Sequence, residues 1–301
     1  MNAYGTMKRP APTVTADFAE DLRSELLMRL RSEGYNVPGT ELRDLVRWWC
    51  NIRRRRIQRR PRRLVRSREL QGRALNPEVA RALRRIEKVV VEGRNLNPHL
   101  SRRRLDADFS DALFDMWSMH HLHLGPPGGR EAPGTSELLF AFVTDDTFHA
   151  VDILDHKAFG ARSLALILKR NWPHLIEAHA CPQIHSLCDE QEPWTDEDRA
   201  SAWAHGITTF ISLDGVVYAP WGGGRTTAKT GARDTGSADV LLDIIARWQR
   251  QSRDTASLAQ WVSRQTKRSV PPELRLRLQV RGDRLRVVEI VTGTQLIDAL
   301  I

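Results

Sequence analysis

Along the first third of the chain apolar residues return every three or four positions, the mark of helices that bury one face. Phe18, Leu22, Leu26, Leu27 and Leu30 carry that spacing over residues 16–31, with Thr15 as the expected N-cap, until EGYNVPG breaks it. A second helix is predicted to begin near Thr40 and to bury Leu42, Leu45, Val46, Trp48 and Trp49. Asn76-Pro77 opens a third, running to about Val91 on Val79, Leu83, Ile86, Val89 and Val90. Residues 106–116 read as a fourth.

From there the period changes. HHLHL, ELLFAFVTDD and TFHAVDILDH are short and rich in apolar or β-branched residues, and the last two are joined at Asp145-Asp146, as a hairpin requires. Alternation along HHLHL sends Leu122 and Leu124 to one face and His121 and His123 to the other, which predicts a solvated histidine face. Asp155 is placed to cap a helix over residues 158–170, and Thr195 with Asp198 to form a capping box. ITTFISLDGVVYAP predicts a hairpin about Asp214-Gly215, residues 238–251 a helix, residues 258–265 another, and LRLRLQV with RLRVVEIV a hairpin about Gly282. Helices and hairpins in separate runs make an α+β class. The expected arrangement is a basic helical region (1–75), helices on a small antiparallel sheet carrying the histidines (76–178), and a second α+β domain (190–301).

Charge changes this picture. Residues 1–105 hold 26 of the 46 Lys and Arg but only 11 of the 37 Asp and Glu, so a chain of net +9 begins with a polycationic third. Between Arg53 and Arg68 ten of sixteen residues are Arg, and no acid appears between Asp44 and Glu69. A solvated helix face usually mixes signs, so this run points to a polyanion, with Arg53, Arg54, Arg55, Arg56, Arg59, Arg60, Arg62 and Arg63 as the contacts. Guanidinium groups both grip phosphates and stack on bases, which suits RNA loops as well as DNA, and RNA is the favoured partner. No run is apolar enough for a membrane span or an export signal, and three cysteines make no disulfide framework, so a cytoplasmic protein is expected.

Two local motifs are weaker. His179, Cys181, His185 and Cys188 are all zinc-ligand types, but they crowd into ten residues and leave little chain to wrap a metal, so no metal site is assigned. Residues 223–230 approach a phosphate-binding loop, yet Ala228 stands where the second glycine belongs and GARDTGS separates the loop from the next helix, so a polar loop is expected. The histidines carry more. His121 and His123 on one strand, with His156 and Asp152 close in sequence to the following strand, suit proton transfer at neutral pH. In a metal-free reaction a base takes the ribose 2′-OH proton, an acid protonates the leaving 5′ oxygen and an arginine steadies the phosphate; no cofactor is implied. In a metal-dependent one His121, His123, His156 and Asp152 would bind zinc or manganese and activate water. A third reading is a non-catalytic nucleic-acid-binding or assembly protein of a prophage or defence system, its histidines structural.

The order helix, HHLHL strand, variable loop, LLFAFV strand, HAVDIL strand resembles the small RelE-like ribonuclease toxins, especially the YafO-type branch, over residues 76–170. The resemblance implies a helix pair on an antiparallel sheet, metal-independent cleavage of mRNA, and the ribosome or an antitoxin as partners. It places His121, His123 and Arg130 at the active face.

Overall fold

The structure is a computed structural model in which residues 12–125, 136–184, 194–267 and 269–300 are described. In chain order the first half holds β1 (Thr13–Thr15), α1 (Phe18–Ser32), α2 (Leu42–Arg55), β2 (Arg63–Arg66), α3 (Arg68–Gly72), α4 (Pro77–Val91), α5 (Ala112–Trp117) and β3 (Met119–His123). Then come β4 (Glu137–Val143), β5 (Thr147–Asp155), α6 (Arg162–Asn171), α7 (Asp196–Ala204), β6 (Ile211–Leu213), β7 (Val216–Tyr218), α8 (Ala232–Gln251), α9 (Thr255–Thr266), β8 (Glu273–Arg281), β9 (Arg284–Glu289) and β10 (Thr294–Leu300). The fold class is α+β.

The elements group into two compact units, one of residues 50–236 and one of residues 1–49 together with 237–301. This is not the succession of three segments expected from the sequence. The cause is long-range pairing: β1 lies parallel to β8, with Thr13 opposite Glu273, and β2 lies parallel to β5, with Arg63 opposite Thr147. Neither β1 nor β2 has enough apolar residues to announce itself.

In the discontinuous unit β1, β8, β9 and β10 form one sheet in that order. β8 alternates strictly, burying Leu274, Leu276, Leu278 and Val280 and exposing Arg275, Arg277 and Arg281. Helix α1 packs on it, burying Leu22, Leu26 and Leu30, and Asp21 of α1 accepts a hydrogen bond from the Leu278 N–H at 2.9 Å. Asp17, rather than Thr15, caps α1 by accepting from Glu20 N–H.

In the other unit the sheet runs β2-β5-β4-β3, so it is mixed, not purely antiparallel. Its inner strands, β4 and β5, are buried on both faces over most of their length. Leu122, Leu139, Ala141, Phe148 and Ala150 meet α4 through Leu83, Ile86 and Val90. Met119, Leu138, Phe140 and Val151 meet α5 and α6 through Trp117, Leu164 and Leu168. Asn76 caps α4 as expected, and Thr195 and Asp198 form the expected capping box on α7. The Asp214-Gly215 turn takes two positive φ angles, 48° and 77°, the conformation that a tight hairpin needs. Among the described residues no helix is long and apolar enough to cross a membrane.

Candidate functional site at the histidine strand

Helix α5 ends at Ser118 in the left-handed conformation (φ 50°), its N–H bonded to Phe114 O, and this sharp stop drops the chain directly into β3. β3 is hydrogen-bonded to β4 with His121 opposite Phe140 and His123 opposite Leu138. The strand is less open than its alternation predicts. His121 is only 7% exposed and His123 half-buried, because the histidine face is itself covered by Phe159 and the residues before α5.

On that face the rings form a line running from the interior outward. The His121 and His123 ring centroids are 6.4 Å apart, and His123 and His156 are 5.8 Å apart. His156, in the 3-10 turn that follows β5, is exposed. Phe159 lies edge-on to His121 at 4.8 Å and beside His156 at 6.1 Å. His121 Nδ1 is 3.3 Å from Asp111 Oδ2 but out of line for a hydrogen bond, so this nitrogen is buried next to a carboxylate without a bonded partner. The His123 carbonyl is held by His99 Nδ1 at 2.9 Å.

Burial, reinforced by the neighbouring His121, His156, Arg102 and His99, lowers the His123 pKa to about 4. The ring is therefore neutral at physiological pH. His120 points away from the line, its ring 4.6 Å from Phe114, and burial lowers its pKa to about 3. A void of about 20 Å³, room for a single water, lies among Arg55, Arg104, Phe109, Asp111, His120 and His121. Arg102 and Arg103 are exposed on a 3-10 turn, Arg102 within electrostatic reach of His123 and the Arg103 guanidinium 4.7 Å from the Phe109 ring.

Asp152 does not join the histidines. Its carboxylate is 3% exposed and grips Arg73 through two hydrogen bonds of 2.7 and 2.6 Å. His149, also on β5, bonds the Phe142 carbonyl and packs edge-on to Trp172, as a core histidine does. Arg130, His185 and Cys188 lie outside the described residues. Among the described residues no three His, Cys, Asp or Glu side chains converge to hold an ion.

The arginine run divides. Arg55 is buried and donates to the carbonyls of Phe109, Arg104 and Asp106, while Arg62 is buried and donates to those of Thr144 and Gln58. Arg54 is clamped between Asp234 and Asp115. These three hold the protein together and cannot serve as the polyanion contacts expected of them. Arg56, Arg59 and Arg63 are exposed, with Arg53 and Arg60 intermediate.

Asp115 is the centre of that clamp, a residue the sequence reading did not single out. It is fully buried and accepts from Arg54, Ser110 and Arg225, and burial pushes its pKa up to about 6 against the pull of both arginines. Arg225 belongs to the 223–230 segment, which is therefore a structural tie rather than a free polar loop. Helix α8 begins at Ala232, so the GARDTGS stretch that seemed to separate loop from helix is largely the helix's own first turns. The signal for Asp115 was a lone acid inside the apolar run ALFDMW; His99, Asp111 and Phe159 left no comparable mark.

Compared with family models, curated proteins and solved structures, the chain finds no match in any of the three.

Proposed function

We propose that this protein binds RNA and cleaves it without a metal, at the line His121–His123–His156. The observation that carries the reading is the graded exposure of three neighbouring imidazoles, the inner one beside Asp111, the middle one within electrostatic reach of Arg102, and the outer one in solvent. Neutral His123 takes the proton from a ribose 2′-OH as that oxygen attacks the adjacent phosphorus. His156 gives a proton to the 5′ oxygen as the P–O5′ bond breaks, leaving a 2′,3′-cyclic phosphate and a 5′-OH. Arg102 faces the charge that builds on the phosphate. The engagement of Asp152 by Arg73 removes the carboxylate that a metal-dependent scheme would use, which also favours this chemistry.

A second reading follows from burial: His120, His121 and His149 pack against aromatic rings as structural side chains do, which suits a non-catalytic RNA-binding protein. Labelled RNA and its all-deoxy counterpart, incubated with and without EDTA, separate the two. The catalytic reading expects RNA cleavage alone, insensitive to EDTA, and lowered roughly 100-fold or more in His123→Ala and His156→Ala with RNA binding retained. Binding without cleavage would support the second reading, and cleavage abolished by EDTA would return the metal-dependent scheme.

A further inference from the structure

The sheet of the discontinuous unit has one face under α1 and one that carries charge. Pairing across β8 and β9 puts Arg277 opposite Val288, Gln279 opposite Arg286 and Arg281 opposite Arg284, while β10 places Asp298 opposite Arg286. Residues opposite one another share a face, so Arg275, Arg277, Arg281, Arg284 and Arg286 all project from the same side. β1 adds the exposed Thr13 and Thr15 there, paired to Glu273 and Arg275. The side chains of Arg275 and Arg277 are 59% and 61% exposed, and those of Arg284 and Arg286 are 42% and 38% exposed.

Arg277 reaches Asp21 of α1 at 2.8 Å, and the acids on the face itself, Glu273 and Asp298, pair with Arg275 and with Arg284 and Arg286, which leaves an excess of two cations. The pairs on the face itself are exposed and weak, and a stronger anion displaces them readily. Arg281 directly opposite Arg284 is a like-charge cross-strand pair, which by itself disfavours the hairpin and which a bound anion would relieve. The basic track from Arg275 to Arg281 covers six residue rises, about 20 Å at strand spacing. One strand of a nucleic-acid duplex presents about six phosphates over that length. Among the described residues the face has no aromatic side chain on which a base could stack.

We infer that the open face of the β8–β9 hairpin is a second nucleic-acid site, gripping the phosphodiester backbone of RNA or DNA without regard to sequence. This rests on the nucleic-acid-binding part of the proposed function and not on cleavage. The test uses the full chain and fluorescent 20-mers of 2′-O-methyl RNA and of DNA, neither of which offers a 2′-OH for attack. Arg275→Gln/Arg277→Gln/Arg281→Gln should flatten the slope of log affinity against log salt by roughly 2 to 3, at 0.7 to 0.9 per lost contact. Equal losses on both oligomers identify the shared backbone, and loss on one alone identifies that polymer as the ligand. If the triple variant does not fold, Arg281→Glu at the exposed end of β8 should weaken binding at least tenfold. An unchanged slope and affinity in a folded variant overturns the inference while leaving the histidine reading intact. Wild-type protein that binds neither oligomer, or binds only polyglutamate or anionic vesicles through these arginines, overturns it too. Binding that depends on these arginines in a protein that cleaves nothing would uphold the sheet site and defeat the histidine reading.

Discussion

Asp115 shows how one residue organises a neighbourhood. Its two oxygens receive Arg54, Arg225 and Ser110, and Arg54 in turn reaches Asp234, which also accepts from Asn51. A charge pair in low dielectric contributes little net stability when intact, but removing one partner strands the other. Asp115→Asn should therefore lower the unfolding free energy by about 3 to 5 kcal/mol in chemical denaturation, far more than a surface carboxylate would. The same logic corrects the arginine run residue by residue. Glutamines at Arg54 and Arg55 would disrupt packing together with any RNA contact, so a clean test of the run uses Arg56, Arg59 and Arg63. Identity alone could not distinguish these positions, because a guanidinium looks the same in sequence whether its partner is a buried carbonyl or solvent.

At the scale of elements, what was legible was whatever local chemistry decides. Asn76, Thr195, Asp214-Gly215 and Gly282 mark their helix starts and turns because each answers a backbone demand within a few residues. β2 was illegible for the opposite reason: RLVR becomes a strand only because β5 offers it an edge. The exposure of the histidine face was misjudged likewise, since alternation separates two faces but does not say what covers each. The entry to β2 depends on a close approach. Gly93, at φ 68° just beyond α4, sits where a Cβ would come within 2.4 Å of Pro61 N, and Arg62 N–H donates to Val90 O beside it. Gly93→Ala meets both a left-handed backbone and a clash with main chain, which nothing flexible can relieve. It should cost more than about 1 kcal/mol, measured as a lower denaturation midpoint.

For the whole molecule, buried histidines set the response to acid. His99, His120, His123 and His149 all have their pKa lowered, chiefly by burial, to about 3 for His120 and about 4 for His123. An unfolded histidine titrates near 6.5, so between that value and the folded ones the unfolded chain binds more protons, and stability falls as pH falls. Asp115 acts in the other direction: with a folded pKa of about 6 against 3.8, its contribution is full below the lower value and is lost as pH rises through the upper. Four histidines outweigh one carboxyl, so the urea midpoint should drop steadily from pH 7 to pH 4.5. A midpoint that rises over that range would mean the histidines are not buried as described.

The parallel pairing of β1 with β8 joins residues 13–15 to residues 273–275. During synthesis the first forty-nine residues leave the ribosome early, yet the strand that α1 must cover is made more than two hundred residues later. Contacts of such separation form slowly, and the helix with its Leu22, Leu26 and Leu30 must wait with its apolar side uncovered. Residues 50–236 have no such delay, since their sheet and both of its helical layers are complete before β8 is translated. The histidine line would thus be assembled on a nascent chain whose discontinuous unit is still open, making order of birth, rather than final stability, the point at which this protein is most exposed to aggregation and to chaperones.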